Sequence, residues 1–224
     1  MPLTLILVEC GIELIPRSIR KHPAVRKQLN MKNYQSQLLD NALHHSAMKS
    51  LKNNEKRGRP DILHACLLNA LGSPLNKSGN LTIYVHTVRN KIFKFDPEIK
   101  ITRNYNRFKG LMAKLLIDGN IRGDDSDLIS SFEGNINQLI HSYKDDEIIL
   151  FSSKGNLLKD YKTSFTEPFS KNYIAIIGGF QKKTFSNEIL ALSSKKISLS
   201  QYTLDAWIAV SKLINYYEIL LKIR

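Results

Sequence analysis

The chain is short of several things, and each shortage narrows the field. It has two cysteines in 224 residues, Cys10 and Cys66, with no CxxC pair. A disulfide framework and a Cys-rich zinc site are therefore excluded, and a reducing compartment is the expectation. No apolar run approaches the ~18–20 residues a membrane-spanning helix needs. The six histidines are scattered and show neither HxxxH nor HExxH spacing, so no dedicated metal site is expected. There is no GxSxG, no Walker loop and no GxGxxG, and no internal repeat or low-complexity tract. The start, MPLTLILVECGIELIP, lacks a basic leading region and carries Glu9 and Glu13. It is expected to form a buried strand and then a helix, not a signal peptide.

Acidic residues are also scarce. Twenty Asp+Glu face 33 Lys+Arg, a formal net charge of +13. Such a surplus points to a polyanionic partner, nucleic acid before an acidic membrane surface. A hydrophobic fraction of 42% is enough for a real core.

Hydrophobic periodicity predicts an α/β protein. LTLILVEC (3–10) is a short continuous apolar run of the kind found in central parallel strands. LTIYVHTV (81–88), KIFKF (91–95), EIILFSS (147–153) and YIAIIGGF (173–180) are the other predicted strands. Helices are predicted over 38–51, 61–71, 101–119, 136–143 and 202–223, with a helix broken by Pro16 and Pro23 over 12–29. Asp61 is the expected N-cap of the 61–71 helix. Residues 120–132 and 154–171 are expected to be irregular, and 181–198 a long polar excursion. Strands alternating with helices predict a mostly parallel sheet covered on both faces.

Two basic groups stand at predicted helix starts. RGRPDILH (57–64) sets Arg57 and Arg59 ahead of a proline and an aspartate. Asp61 either caps the helix or holds the Arg59 guanidinium in a fixed orientation. Lys100, Arg103 and Arg107 sit on the entry to the 101–119 helix, and the two arginines share a face if that turn is helical. Cations there oppose the helix dipole at about 0.3–1 kcal/mol each, so helix stability does not explain them. A bound anion does. Gly178–Gly179, at a strand's carboxyl end, is either a tight turn or a place where the backbone approaches a ligand.

Five blocks occur in the order of one family: EKRGRPDILHACLLNAL, SPLNKSGNLTIYVHT, ITRNYNRFKGLMAKLL, YIAIIGGF and ISLSQYTLDAW. Over nearly its whole length the chain resembles the SPOUT-class, N(1)-specific pseudouridine methyltransferases of small-subunit ribosomal RNA, ribosome-biogenesis factors of archaea and eukaryotes. The resemblance implies a single α/β knot domain over 1–224, with a C-terminal trefoil knot and a family-specific extension around 30–60. It also implies a homodimer in the cytoplasm, with S-adenosylmethionine held largely by backbone groups. By position, Phe151, Ser152, Gly178, Gly179, Lys183 and the loop Leu199, Ser200, Gln201, Tyr202, Thr203, Leu204 would line the cofactor. Arg59, Lys100, Arg103 and Arg107 would contact rRNA, with Asp61 steadying Arg59. No metal is implied and no general base is identified.

The chain departs from the family pattern at Lys183, where glycine is common, and at Thr203, where proline is common. Gly72 stands for a frequent aspartate and Lys100 for a frequent arginine. The rival expectation is a rRNA-binding assembly factor that keeps the fold without catalysis. A tRNA methyltransferase would share the chemistry and differ in substrate.

Overall fold

A computed structural model describes residues 3–143, 146–158 and 172–223. Its centre is one eight-stranded sheet in the order β4-β5-β3-β2-β1-β7-β6-β8. The strands are β1 Leu3–Cys10, β2 Leu81–Thr87, β3 Ile92–Phe95, β4 Ile121–Arg122, β5 Asp127–Phe132, β6 Glu147–Leu157, β7 Tyr173–Gly178 and β8 Lys196–Ser198. Strand β1 is central and parallel to both neighbours, with Leu3 opposite Leu81 on β2 and Tyr173 on β7. Strand β6 continues the parallel part, between β7 and β8. Strands β3, β5 and β4 extend the sheet antiparallel on the other side.

A strand buried on both faces has to be apolar at every position, and β1 shows why its sequence does not alternate. Leu3, Leu5 and Leu7 pack one face against α3 (Pro60–Gly72), α5 (Tyr105–Asp118) and the C-terminal helix Ala206–Leu221. Ile6 and Val8 pack the other face against α6 (Ile136–His141) and the helix Asn187–Ala191. A satellite core of Ile15, Ile19, Val25, Leu39, Ala47 and Met48 gathers the 12–51 segment, including α1 (Pro23–Arg26) and α2 (Asn41–Met48). Cys10 and Cys66 are free and fully buried, and desolvation raises both thiols, Cys66 to about 12.

Several expectations need correction. Residues 120–132 are not a loop: β4 and β5 lie there, because Ile121 and Ile129 pair across the hairpin and are buried. The 181–198 excursion contains the helix Asn187–Ala191, capped by Ser186, and the edge strand β8. Over 12–29, only a 3-10 turn at Arg17–Ile19 and the four-residue α1 form, since Pro16 and Pro23 leave no room for a longer helix. Strand β6 runs on to Leu157, and the rest of the predicted irregular stretch, 159–171, lies outside the described residues. A short helix, α4 (Pro74–Lys77), follows Gly72, which is itself the last residue of α3.

Gly179 is required by packing. A Cβ there would lie 2.3 Å from Cys10 Sγ and 3.2 Å from Cys10 Cα, and the Gly179 amide donates to Val8 O at 2.8 Å. Gly72 has nothing within 4 Å of its Cβ position. Gly179→Ala is predicted to lower stability by about 1–3 kcal/mol through overpacking, and Gly72→Ala to raise it by about 0.5–1 kcal/mol through helix propensity. Urea denaturation of the two variants checks this. Equal midpoints would contradict the packing account.

Candidate nucleotide and nucleic-acid site

The site forms where β1, β6 and β7 end, the carboxyl edge of the parallel strands. In open α/β sheets that edge gathers loops and leaves a crevice. A cavity of about 550 Å³ opens there. Its walls come from the end of β6 (Phe151, Ser152, Ser153, Lys154), the end of β7 with the loop after it (Ile177, Gly178, Phe180 to Phe185), and the 198–206 segment that leads into the C-terminal helix. That volume suits a nucleoside-sized molecule.

Nine of the eleven residues expected at a cofactor line this cavity: Phe151, Ser152, Gly178, Lys183, Leu199, Ser200, Tyr202, Thr203 and Leu204. Gly179 and Gln201 are not among its lining residues. Gly179 turns toward Cys10, as its packing requires. Sequence reading missed Phe180 and Phe185, whose rings meet edge to face with centroids 5.3 Å apart. It also missed Ala206 and Ala209, the first turn of the C-terminal helix. These are ordinary core-type residues, and only the chain path brings them to one cavity.

Lys183 is the unusual member. Its φ is +83°, in the left-handed region that favours glycine. This accounts for the glycine common at the matching family position. Its ammonium pairs with Glu55, tying the cavity wall to the 54–56 turn.

The basic residues divide into two kinds. Arg57 is buried and is not available to a ligand: its Nε donates to Glu13 Oε1 at 2.5 Å and its Nη2 to Oε2 at 2.8 Å. Arg59 is less buried, its side chain 18% exposed. Its Nε and Nη2 donate to the two Asp61 oxygens at 2.8 and 2.6 Å. That bidentate bond raises the guanidinium's pKa, and the nearby Tyr105 and Asp205 add to the effect. Asp61 is not the N-cap. Pro60 opens α3, Arg59 occupies the cap position, and the Asp61 carboxylate is committed to Arg59.

Backbone fit at the end of β1 sets the Arg59 position. The Arg59 amide donates to Gly11 O at 3.0 Å, and a Cβ on Gly11 would sit 2.8 Å from Lys56 O. The second basic group is brought alongside by His64. This buried ring donates from Nε2 to Thr102 O at 2.8 Å and stacks on Phe108 with centroids 4.3 Å apart. The bond joins α3 to the segment just before α5. Asp40 then anchors the first turns of α5, accepting from Lys109 Nζ at 2.9 Å and Tyr105 OH at 3.2 Å.

Lys100, Arg103 and Arg107 are exposed on this segment. Helix α5 starts later than expected, with Asn104 as N-cap accepting from the Arg107 amide at 3.0 Å. Arg103 therefore precedes the helix, and the two arginines do not share a helical face. No acidic side chain occupies the first turn of α5. Asp205, whose charge acts on Arg59, is the N-cap residue between the lining residues Leu204 and Ala206.

Fold and site together define a class: an α/β protein with a nucleoside-sized cavity at the sheet's carboxyl edge and an ordered cationic surface beside it. The chain belongs to the EMG1/NEP1 methyltransferase family, whose model matches residues 5–218. It is 42% identical over 216 residues to the ribosomal RNA small subunit methyltransferase Nep1 of Staphylothermus marinus, covering 95% of this chain and 94% of that one. Nep1 of Thermococcus onnurineus is 38% identical over 218 residues, 96% and 98% of the two chains. The crystal structure of Archaeoglobus fulgidus Nep1 bound to S-adenosylhomocysteine superimposes with a TM-score of 0.87 at 34% identity, covering 99% of this chain and all of that one.

The backbone strain at Lys183 is separable from its ion pair. Lys183→Ala removes the Glu55 partner and keeps the strain, while Lys183→Gly removes both. The glycine variant is predicted to be more stable than the alanine variant by about 1 kcal/mol, measured by thermal melts. An alanine variant that equals or exceeds it would overturn the reading.

Proposed function

We propose that this protein transfers a methyl group from S-adenosylmethionine to N(1) of a pseudouridine in small-subunit ribosomal RNA, as part of ribosome biogenesis. The observation that carries the reading is that both parts of the site are built around the C-terminal helix. Its first turn lines the nucleoside-sized cavity, and α3, which opens at the Asp61-held Arg59, packs against it. The S-adenosylhomocysteine seen in the Archaeoglobus relative supports the cofactor, and the relatives' rRNA methyltransferase names support the substrate.

The cavity's residues fit such a cofactor. Phe151, Phe180 and Phe185 offer apolar faces for a base, and Ser152 and Ser200 offer hydroxyls to polar edges. Among the described residues no carboxylate lines the cavity, while Lys154, Lys183 and Lys196 do. When bound, S-adenosylmethionine supplies an electrophilic methyl group.

The chain's own residues supply placement. Arg59, Lys100, Arg103 and Arg107 hold RNA phosphates, and a flipped-out base reaches the cavity in line with the methyl group. Pseudouridine has a carbon glycosidic bond, so its N(1) bears a proton. Transfer would pass the N(1) proton to solvent water while the nitrogen's electron pair forms the new N–C bond and the C–S pair stays on sulfur, leaving S-adenosylhomocysteine. Asp61, paired with Arg59, is a poor proton acceptor. Positioning and electrostatics account for most of the acceleration.

The trefoil knot, the family-specific extension around 30–60, the cytoplasmic location and the homodimer belong to the same proposal. Two buried free cysteines suit a reducing compartment, and no helix among the described residues is long and apolar enough to cross a membrane. Ile208 and Ile219 lie on one outer face of the C-terminal helix, 41% and 49% exposed, which supports a second copy packing there. Ile208→Glu with Ile219→Glu is expected to halve the mass seen by light scattering, whereas a monomeric wild type would refute the dimer.

Incubation with labelled cofactor and a small rRNA hairpin tests the reaction. Label is expected only when the hairpin contains pseudouridine. Equal label with uridine at that position would reject the substrate, and no calorimetric heat with the cofactor would leave a non-catalytic assembly factor. Arg59→Ala and Arg103→Ala should each weaken hairpin binding and flatten its log-affinity against log-salt slope by about one unit. Wild-type slopes in both would dismiss the cationic surface as the RNA site.

A further inference from the structure

A second cavity, of about 420 Å³, lies beside the first. It is enclosed by the 52–57 loop, the turn between β2 and β3, and the 183–186 segment. Lys183 and Thr184 line both cavities. We propose that this second cavity seats a backbone phosphate of the RNA substrate, beside the cofactor cavity. The inference rests on the reading that the substrate is RNA.

Five of the twelve lining residues are cations, Lys52, Lys56, Arg57, Arg89 and Lys183, against one carboxylate, Glu9, with Asn53, Asn90, Thr184 and Ser186 as neutral polar residues. Carboxylates nearby do not cancel this charge. Lys56 pairs with Glu9 at 2.6 Å, and Lys183 with Glu55. Glu13, only 2% exposed, is shared by Arg57 and Arg89. Five cations thus face three carboxylates, and the excess falls on Arg89 and Lys52.

The geometry of Arg89 is that of a prepared anion binder. Its Nε donates to Glu13 Oε2 at 2.9 Å and its Nη2 lies 2.8 Å from the same atom. The inner edge of the fork is therefore anchored on a buried carboxylate, while the side chain as a whole is 53% exposed. Arg59 is also oriented by two bonds to a carboxylate, though there the arginine is the more buried partner, 18% exposed against 44% for Asp61. An arginine whose orientation is already set loses little freedom on binding phosphate. Arg89 stands on the side of the cofactor cavity where Lys183 and Thr184 line both cavities. A strand whose target base enters the cofactor cavity passes a phosphate to Arg89.

The test uses the full chain and an rRNA hairpin, with affinity measured as a function of potassium chloride. Arg89→Ala and Lys52→Ala are compared with Lys77→Ala, an exposed lysine on α4 at the opposite, amino edge of the strands. All three remove one positive charge. The cavity variants are expected to weaken binding about threefold and flatten the salt slope by about 0.7–0.9 each, with Lys77→Ala close to wild type. Calorimetric affinity for S-adenosylhomocysteine within about twofold of wild type shows that the fold is intact. If Arg89→Ala and Lys52→Ala match Lys77→Ala while Arg59→Ala still weakens binding, the second seat is refuted and the RNA reading stands. If Arg59→Ala is also without effect, both fail. Inorganic phosphate that stabilises the wild type but not Arg89→Ala, with the RNA slope unchanged, would assign the seat to a free anion and overturn the proposal.

Discussion

The carboxylate of Glu13 is the constraint on which the site depends. It is buried just beyond β1 and accepts from two arginines far along the chain, Arg57 and Arg89. Removing Glu13 would leave the buried Arg57 unpaired at a cost of about 3–5 kcal/mol, because that charge cannot recover its hydration. The penalty locks the 53–59 loop and the β2–β3 turn onto the end of β1. Glu9 extends the lock. Its residue takes a left-handed conformation, φ +53°, where the β1–β2 pairing shifts register, and its carboxylate binds Lys56 at 2.6 Å and the Ser186 amide at 3.3 Å. Arg59 is fixed two residues beyond Arg57 as a consequence.

A second buried pair does the same for the other basic segment. Asp40, after the satellite core, holds Lys109 and Tyr105. Asp40 thus ties the segment around α2 to the first turns of α5. The charges that face solvent are carried on elements pinned by charges that do not. This division explains how a chain of net charge +13 keeps an ordered cationic surface. The excess cations repel one another, and buried carboxylates hold the backbone beneath them.

The cofactor-type cavity follows a different economy. Its signal in side chains is faint because its shape comes from backbone: strand ends, a glycine at 178 and a loop that turns into a helix. Lys183 shows that a residue identity alone can mislead. The change from the common glycine looks like a change of chemistry. The structure shows instead a strained backbone position compensated by an ion pair with Glu55.

Local pattern was enough for β1, β2, β7, α3 and α5, because burial on two faces or on one helical stripe leaves a direct mark on residue order. It was also enough for the basic character of the 57–59 and 100–107 segments. Local pattern failed for the short edge strands β4 and β8 and for β5 beside β4, whose partners, not their composition, make them strands. It could not tell Arg57 from Arg59. Both sit in one tripeptide, yet one is buried on Glu13 and the other is held in a fixed orientation by Asp61. Residue order by itself determined the fold class, the charge and the family. Which cations are free, and which residues meet at the cavity, was decided only by tertiary structure, because ion pairs and cavity walls join positions some 40 to 180 residues apart.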